Sequence, residues 1–384
     1  MERIVVVGGG IAGLTAAHVL RDEGFTGELT LVGEEPTATY SRPVLSKAAL
    51  IGAEVGGHEL SDPTHGGTEL RGIRATGVRL ADRVVELDNG TELPFDGLVI
   101  ATGAGVRRLT GSPHELTLRT LADAEVVHAR LGERPSVVVV GSGPLAMELA
   151  SGAVERGCAV TVVCDGVPME RHLGHHLARL LAEAAAAHGV RLVGSRAIHA
   201  EAGPGAARVE TASGEVVAAD VLVTAIGDRT HDDWLAGSGL LTHGHLLVDT
   251  RGRVLDAEGT PRPGIVAAGD VSWWPSPAGP RRSPLWTSAL DQATVAARGL
   301  LHGDAAHPFE ALPYFWTEQF GLHVRAVGPL PVAGEPVVVE ADHGSPRALL
   351  LWPSTVAVGT AVAVNYRIPI PKLRRLALAE PATP

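Results

Sequence analysis

Two glycine-rich segments in this chain follow runs of β-branched residues and have the spacing of dinucleotide-binding turns. They are Gly8–Gly13, after Ile4–Val7, and Gly141–Ala146, after Val137–Val140. The first glycine of such a turn permits a tight bend, the second lets the backbone approach a pyrophosphate, and the third lets the helix pack on its strand. The helix N-terminus then offers unpaired N–H groups to the phosphates. Two such turns predict electron transfer between two bound dinucleotides.

Acidic residues about 20 positions beyond each turn are candidate ligands of the ribose hydroxyls. Glu34 follows the apolar run Leu29–Val32 and is the candidate for the first turn. After the second turn, Cys164 occupies the expected acidic position and the carboxylate is displaced to Asp165. Since Asp165 would repel a 2′-phosphate, we expect NADH rather than NADPH, although nearby Arg171 would favour the phosphate.

The cysteines argue against dithiol redox chemistry. Cys158 and Cys164 are the only two in 384 residues, which is typical of a reducing compartment and predicts a cytoplasmic protein. If the strand between them forms, their Cα atoms lie roughly 20 Å apart, well beyond the roughly 7 Å limit for a disulfide.

Composition excludes several classes of protein. A formal net charge of −11 argues against a nucleic-acid partner, which needs a basic face. The apolar stretch Ala348–Val364 contains Pro353, Ser354 and Gly359, so it predicts two strands and a turn rather than a membrane span. The spacing of His172, His175 and His176 is that of a solvated helix face, and we expect no metal site.

The elements around the motifs predict an α/β protein. Hairpin strands are expected at Val84–Leu87, before the turn Asp88–Gly90, and a further buried strand is expected within Asp220–Gly227. Residues 48–84 are rich in Gly, His and Asp and predict a loop. From about Pro308 the alternation of apolar and polar residues predicts a mixed α/β segment.

Further motifs resemble those of the FAD-dependent NADH:ferredoxin reductases, which have the pyridine nucleotide-disulfide oxidoreductase fold without its redox disulfide. This group includes putidaredoxin reductase and the reductases of bacterial ring-hydroxylating dioxygenases. The most specific segments are Tyr40–Lys47, Leu98–Ala104, Ala267–Val271, Trp286–Ala289 and Pro313–Gly321. Cys164 departs from the family pattern, as does Ser288, which replaces an asparagine.

The resemblance implies a glutathione-reductase-like fold of two Rossmann-like dinucleotide-binding domains, with the second inserted in the first, plus a small α+β C-terminal domain. The implied boundaries are 1–113 and 231–307 for the FAD-binding domain, 114–230 for the NAD-binding domain and 308–384 for the C-terminal domain.

The resemblance also implies the site residues. For FAD they are Gly8, Gly10, Ala12, Gly13, Glu34, Arg42, Lys47, Ala101, Thr102, Gly103, Arg119, Gly269, Asp270 and Trp286. For NAD they are Gly141, Gly143, Pro144, Leu145, Glu148, Asp165 and Gly227. Lys47 and Glu148 would form a pair that gates or electrostatically tunes the flavin. The alternative is a surface ion pair worth under about 1 kcal/mol.

The implied activity is hydride transfer from NADH to flavin N5, followed by single-electron transfer to a small iron–sulfur ferredoxin that serves a P450 or a non-haem oxygenase. Local basic residues could dock an acidic ferredoxin or be solvated surface charge. The protein would be a monomer or a homodimer, without a membrane or nucleic-acid partner.

Two alternatives remain open. One is a flavoenzyme acting directly on a small organic substrate, for example in secondary metabolism, with Trp273 and Trp274 near its pocket. The other is a flavin-binding scaffold or redox sensor.

Overall fold

A computed structural model describes residues 1–52, 55–60, 64–354 and 358–379. The chain forms two compact units, each discontinuous in sequence. The first unit contains Met1–Ser41, His58–Gly105 and Arg229–Ala311, and the second contains Arg42–Gly57, Val106–Asp228 and Leu312–Pro384. The second unit therefore interrupts the first along the chain. The three-domain division stays a prediction, and residues from Leu312 onward belong to the unit that carries the second glycine turn. No helix among the described residues is long and apolar enough to cross a membrane.

The described residues contain strands β1 to β26. In chain order they are Arg3–Val7, Glu28–Gly33, Thr68–Arg71, Ala75–Arg79, Val84–Leu87, Glu92–Pro94, Gly97–Ile100, Ala104–Val106, Glu115–Leu116, Ser136–Val140, Ala159–Val163, Arg191–Val193, Ala197–Gly203, Ala206–Thr211, Val216–Ala219, Val221–Thr224, Asp228–Thr230, Leu246–Leu247, Arg253–Leu255, Pro261–Ala267, Ser272–Trp273, Tyr314–Gln319, Leu322–Val327, Val337–Ala341, Ala348–Trp352 and Thr360–Val364.

The same residues contain α-helices α1 to α8 and several short 3₁₀ turns. The helices are Ile11–Asp22, Ala48–Ile51, Leu121–Gly132, Pro144–Glu155, Glu170–Leu173, His175–Ala187, Trp286–His302 and Ile370–Leu378. The 3₁₀ turns are Arg42–Val44, Asp233–Leu235, Gly269–Val271 and Gly303–Ala305.

The first unit is organised by a six-stranded sheet of order β19-β20-β7-β1-β2-β3. Strand β1 pairs in parallel with β2 and β7, so that Val7 lies beside Val32 on one side and Ile100 on the other. All three of these residues are buried, as expected for a central parallel strand covered on both faces. Because the three strands run parallel and end level with one another, the segments that follow them leave the sheet at the same edge. A smaller sheet, β4-β5-β6, includes the predicted hairpin.

The second unit repeats this arrangement in a five-stranded parallel sheet of order β12-β11-β10-β16-β9. Val140 at the end of β10 lies beside Val163 of β11 and Thr224 of β16. The strand predicted within Asp220–Gly227 is therefore present as β16. An antiparallel sheet, β13-β14-β15, lies along the chain between β12 and β16 of the parallel sheet.

The C-terminal part of the second unit is an antiparallel sheet of order β22-β23-β26-β25-β24. Helix α8 contributes Leu373 and Ala377 to its core, which matches the predicted α+β composition. The apolar stretch from Ala348 to Val364 forms β25 and β26, as expected. The turn predicted between them includes residues 355–357, which lie outside the described residues.

The expectation of a loop across residues 48–84 is wrong at three segments of that range, which form α2, β3 and β4. Strand β3 is the edge of the six-stranded sheet, where Thr68 pairs with Thr30. Its residues are exposed or half-buried, so it lacks the apolar run that identifies a central strand. Residues 53–54 and 61–63 of this range lie outside the described residues.

Candidate functional site

The glycines of the first unit form a turn that only glycine can make. Gly8 has a φ of +128°, and a Cβ atom there would lie 2.1 Å from the Ala101 carbonyl oxygen. A Cβ on Gly13 would lie 1.9 Å from the Gly8 carbonyl oxygen. A Cβ on Gly10, by contrast, would meet no atom within 4 Å. The turn is therefore closed on its protein side and open at Gly10, as a pyrophosphate site requires.

The start of α1 supplies donors to this open side. Gly10 is the N-cap of the 12-residue helix, and no side chain makes the capping hydrogen bond. Thr39 Oγ1 donates to the Gly9 carbonyl at 2.8 Å and so fixes the turn. The helix also carries a partial positive charge at this end. Together with Ala12, these features fit an anionic diphosphate.

Glu34 follows β2 at the same sheet edge, where a ribose ligand was expected. Its side chain is 60% exposed, and its Oε1 atom lies 3.8 Å from Arg74 Nη1. The segment Ala101–Gly103 follows β7, and there Thr102 Oγ1 donates to the His231 carbonyl at 2.6 Å. The first unit thus brings its predicted diphosphate and ribose residues to one edge of its sheet.

A 3₁₀ turn and α7 complete the predicted flavin residues of the first unit. Gly269 and Asp270 lie in the turn that follows β20, and Trp286 is the first residue of α7. The buried Gln292 of α7 accepts a hydrogen bond from the Gly269 N–H at 3.0 Å. Gln292 was not predicted, although a glutamine on the apolar face of a helix signals a buried polar contact.

The second glycine turn is closed by backbone atoms in the same way, but a Cβ on Gly143 would lie 3.2 Å from His172 Cε1, so a side chain lies beside the glycine that is open in the first turn. A Cβ on Gly141, whose φ is +150°, would lie 2.3 Å from the Ala225 carbonyl oxygen. Gly143 is the N-cap of α4 without a side-chain cap, and Pro144 and Leu145 begin the helix. The predicted ligand Gly227 follows β16 with a φ of +104°. This turn also fits a dinucleotide diphosphate.

Cys164 and Asp165 differ in accessibility. The Cys164 side chain is buried, its thiol donates to the Gly166 carbonyl at 3.2 Å, and burial, with a smaller contribution from Asp165, raises its pKa to about 11. The Asp165 carboxylate is exposed and lies 2.6 Å from Arg171 Nη2. Asp165 is therefore the accessible acid. It is paired with Arg171, the residue that would favour the 2′-phosphate of NADPH.

The predicted pair of Lys47 and Glu148 is formed and buried. Lys47 Nζ lies 2.8 Å from Glu148 Oε2, with side-chain exposures of 13% and 5%. The alternative of a surface ion pair is therefore wrong. Two hydroxyl groups that were not predicted also donate to this carboxylate, Ser46 Oγ at 2.5 Å and Thr317 Oγ1 at 2.6 Å. Ser46 lies next to Lys47 in a motif quoted for the resemblance, but spacing does not reveal which side chain its hydroxyl meets.

Arg42 and Arg119 also lie in the second unit. The Arg42 Nη1 group donates to the Arg119 carbonyl at 2.8 Å, and the Arg119 N–H donates to Asp123 Oδ2 at 2.9 Å. These bonds join the segment before Lys47 to the start of α3. The flavin contacts predicted for both arginines stay predictions.

The cysteines and tryptophans bear on the alternatives. Cys158 and Cys164 are free and buried at opposite ends of β11, which rules out the redox disulfide between them. Trp274 is buried, donates to Ser272 Oγ at 2.9 Å and packs edge-on against Phe309. Trp274 therefore belongs to the core of the first unit.

The family model for pyridine nucleotide-disulphide oxidoreductases matches residues 2–296. The chain belongs to this family. The match includes both glycine turns, and it confirms the prediction of a nicotinamide-dependent oxidoreductase with Rossmann-like domains.

Relatives of this oxidoreductase align with nearly the whole length of the chain. The ferredoxin–NAD(+) reductase component of the 3-phenylpropionate/cinnamic acid dioxygenase of Photorhabdus laumondii is 31% identical, over 99% of this chain and 97% of that protein. The ferredoxin reductase for the CYP199A2 system of Rhodopseudomonas palustris superposes with a TM-score of 0.85 at 25% identity, covering 95% and 92% of the two chains. A chain of the covalent putidaredoxin reductase–putidaredoxin complex gives 0.83 at 25% identity, covering 95% and 90%. The resemblance inferred from the sequence is confirmed.

Proposed function

We propose that this oxidoreductase binds FAD and NADH, accepts hydride from NADH and passes electrons to a small iron–sulfur ferredoxin. The observation that carries the proposal is the pair of glycine turns. Each turn is closed by backbone atoms on one side, and each is followed by a 12-residue helix. The relatives named above are ferredoxin reductases of dioxygenase and P450 systems. The proposed terminal acceptor is accordingly a non-haem oxygenase or a P450.

The first glycine turn is the proposed FAD site. Gly8 and Gly10 would face the diphosphate, Glu34 the adenosine ribose, and Asp270 the ribityl chain. When bound, FAD supplies an acceptor for a hydride and a donor of single electrons. The chain's own part is to orient the rings and exclude water, because hydride transfer depends chiefly on positioning.

The second glycine turn is the proposed NADH site. The N-terminus of α4, beside which the His172 ring lies, would bind the diphosphate and Asp165 the adenosine ribose. Asp165 would repel a 2′-phosphate, which favours NADH, while its ion pair with Arg171 reduces that repulsion. We therefore propose a preference for NADH that depends on Asp165.

Lys47 is the proposed charged group beside the flavin, in keeping with the resemblance of Tyr40–Lys47. Its ammonium is held by Glu148 Oε2 and by the Pro43 carbonyl at 3.2 Å. It also lies 5.8 Å from the centre of the Trp316 ring. A cation fixed in this way would stabilise negative charge that develops on the flavin during hydride transfer.

The test uses purified protein reconstituted with FAD under anaerobic conditions. NADH is expected to bleach the flavin absorption. Addition of a ferredoxin from a dioxygenase system should then strongly stimulate NADH-dependent reduction of cytochrome c. A flavin that NADH does not bleach would refute the proposal. NADH turnover with a small organic molecule, and none with any ferredoxin, would instead support the direct flavoenzyme.

A further inference from the structure

The carboxylate of Glu148 accepts hydrogen bonds from three donors, which lie on two separate segments of the second unit. Its Oε2 atom accepts from Ser46 Oγ and Lys47 Nζ, and its Oε1 atom accepts from Thr317 Oγ1. Glu148 is 4% exposed, Ser46 6% and Thr317 0%. Burial of a carboxylate is costly unless hydrogen-bond donors replace the water it has lost. The two hydroxyls, together with Lys47, supply those donors.

The direction of the Thr317 hydroxyl is set by its neighbour on β22. Gln319 Nε2 donates to Thr317 Oγ1 at 2.9 Å. Because a hydroxyl has one hydrogen, a Thr317 oxygen that accepts from Gln319 directs its own hydrogen to Glu148. The result is a buried chain of donors, from amide to hydroxyl to carboxylate. Its orientation follows from the network of partners.

Strand β22 thus holds both members of the ion pair through adjacent residues. Trp316 lies 5.8 Å from Lys47 Nζ, and Thr317 donates to Glu148. We propose that Ser46 and Thr317 are positioning residues, which fix the Glu148 carboxylate so that the Lys47 ammonium keeps its place during hydride transfer. This inference rests on the proposed function of Lys47. It assigns to the C-terminal sheet a part in the redox step.

The decisive variant is Thr317→Val, which removes the hydroxyl at nearly constant volume. At saturating NADH, the rate of flavin reduction is expected to fall about tenfold, because a misplaced charge weakens the positioned geometry. The dissociation constant for NADH should stay close to that of the wild type. Thr317→Ser restores the donor and should restore the rate. Ser46→Ala, which leaves β22 unaltered, should slow flavin reduction to a similar degree.

Thr360→Val is the matched control. Thr360 is also a buried threonine of the C-terminal sheet, and it donates to the Pro329 carbonyl at 2.6 Å. Its loss removes a buried hydroxyl of the same kind without touching Glu148. Thr360→Val should therefore leave the flavin reduction rate unchanged. An equal slowing in Thr360→Val and Thr317→Val would mean a structural effect alone and would overturn the inference.

A second readout needs no NADH. The midpoint potential of bound FAD, measured with a chemical reductant, should become more negative in Thr317→Val and Ser46→Ala and return in Thr317→Ser. Wild-type rates and potentials in both variants, at full FAD content, would overturn the inference. If Thr317→Val retains no FAD, Ser46→Ala decides alone. A wild-type protein that NADH does not reduce would refute the proposed function, while the potentials would still decide the positioning role.

Discussion

Lys47 Nζ and Glu148 Oε2 lie 2.8 Å apart in a site where neither side chain is more than 13% exposed. The two residues are 101 positions apart in the chain: Lys47 lies just before α2, and Glu148 lies in α4. Two charges are rarely buried together unless further hydrogen bonds satisfy them. Ser46 and Thr317 supply those bonds here, so stability and charge placement depend on the same four side chains.

Removing one member of this pair should destabilise the protein. Lys47→Met is expected to lower the free energy of unfolding by about 3–5 kcal/mol, because it leaves the Glu148 carboxylate buried without its counter-ion. Denaturant unfolding monitored by tryptophan fluorescence measures the change. Arg179→Met is the matched control, since it breaks an exposed pair with Glu183 on α6 and should cost under about 1 kcal/mol. Equal losses in both variants would contradict the importance of burial.

The glycines of the first turn should divide into those needed for folding and those needed for binding. Gly13→Ala is expected to prevent correct folding, because its Cβ would lie 1.9 Å from the Gly8 carbonyl oxygen. Gly10→Ala should fold, since its Cβ meets no atom within 4 Å, but should bind FAD at least about tenfold more weakly, because the methyl group would occupy the diphosphate space. Circular dichroism and flavin titration separate the two effects. Gly111→Ala, which also places its Cβ in open space, should change neither.

The Asp165–Arg171 pair should control the choice of nicotinamide dinucleotide. Asp165→Asn removes the repulsion of a 2′-phosphate and releases Arg171 to bind it, so the ratio of kcat/KM for NADPH to that for NADH should rise about tenfold. Steady-state kinetics with both nucleotides measure this ratio. In the double variant Asp165→Asn, Arg171→Ala the gain should disappear. A ratio unchanged by Asp165→Asn would show that the ribose binds elsewhere.

Much of the fold could be predicted because central parallel strands carry an unmistakable signal. Strands β1 and β10 each contain four consecutive buried β-branched residues, Ile4–Val7 and Val137–Val140, followed by glycines. Each strand was predicted to within one residue of its observed start. Strand β3 was missed because Leu70 is the one apolar residue among its four, and propensity alone does not reveal its pairing with β2. Helix α2 was missed because it spans only four residues, too few to display a helical period.

The site could be predicted only where a motif or a family resemblance specified it. The glycine turns follow from spacing, and the Lys47–Glu148 pair follows from resemblance. The contacts of Ser46, Thr317 and Gln292 could not be predicted, because they depend on which distant segments meet in the folded unit. The burial of Cys164 could not be predicted either. Successive side chains of a strand point to opposite faces, so a buried Val163 does not indicate that the next residue is buried as well.

A histidine pair in the first unit should make stability depend on pH. The rings of His18 on α1 and His65 lie 5.5 Å apart, and His18 Nε2 is buried with no hydrogen-bond partner among the described residues. Burial, followed by the proximity of His65, lowers the pKa of His18 below its usual 6.5, against weaker opposing effects of Asp22 and Glu69. The unfolded chain therefore binds a proton at a higher pH than the folded one does.

The stability that comes from keeping His18 neutral in the folded chain is fully present above pH 6.5. It is lost progressively as the pH falls from 6.5 through the lowered pKa of folded His18. We expect the free energy of unfolding to decrease more steeply between pH 6.5 and 5 in the wild type than in His18→Phe, which cannot titrate. Denaturant unfolding at several pH values measures both slopes. Because protonation of His18 is unfavourable in the folded state, the variant should gain in relative stability as the pH is lowered. A wild-type slope no steeper than that of His18→Phe would mean that this histidine titrates alike in the folded and unfolded chains.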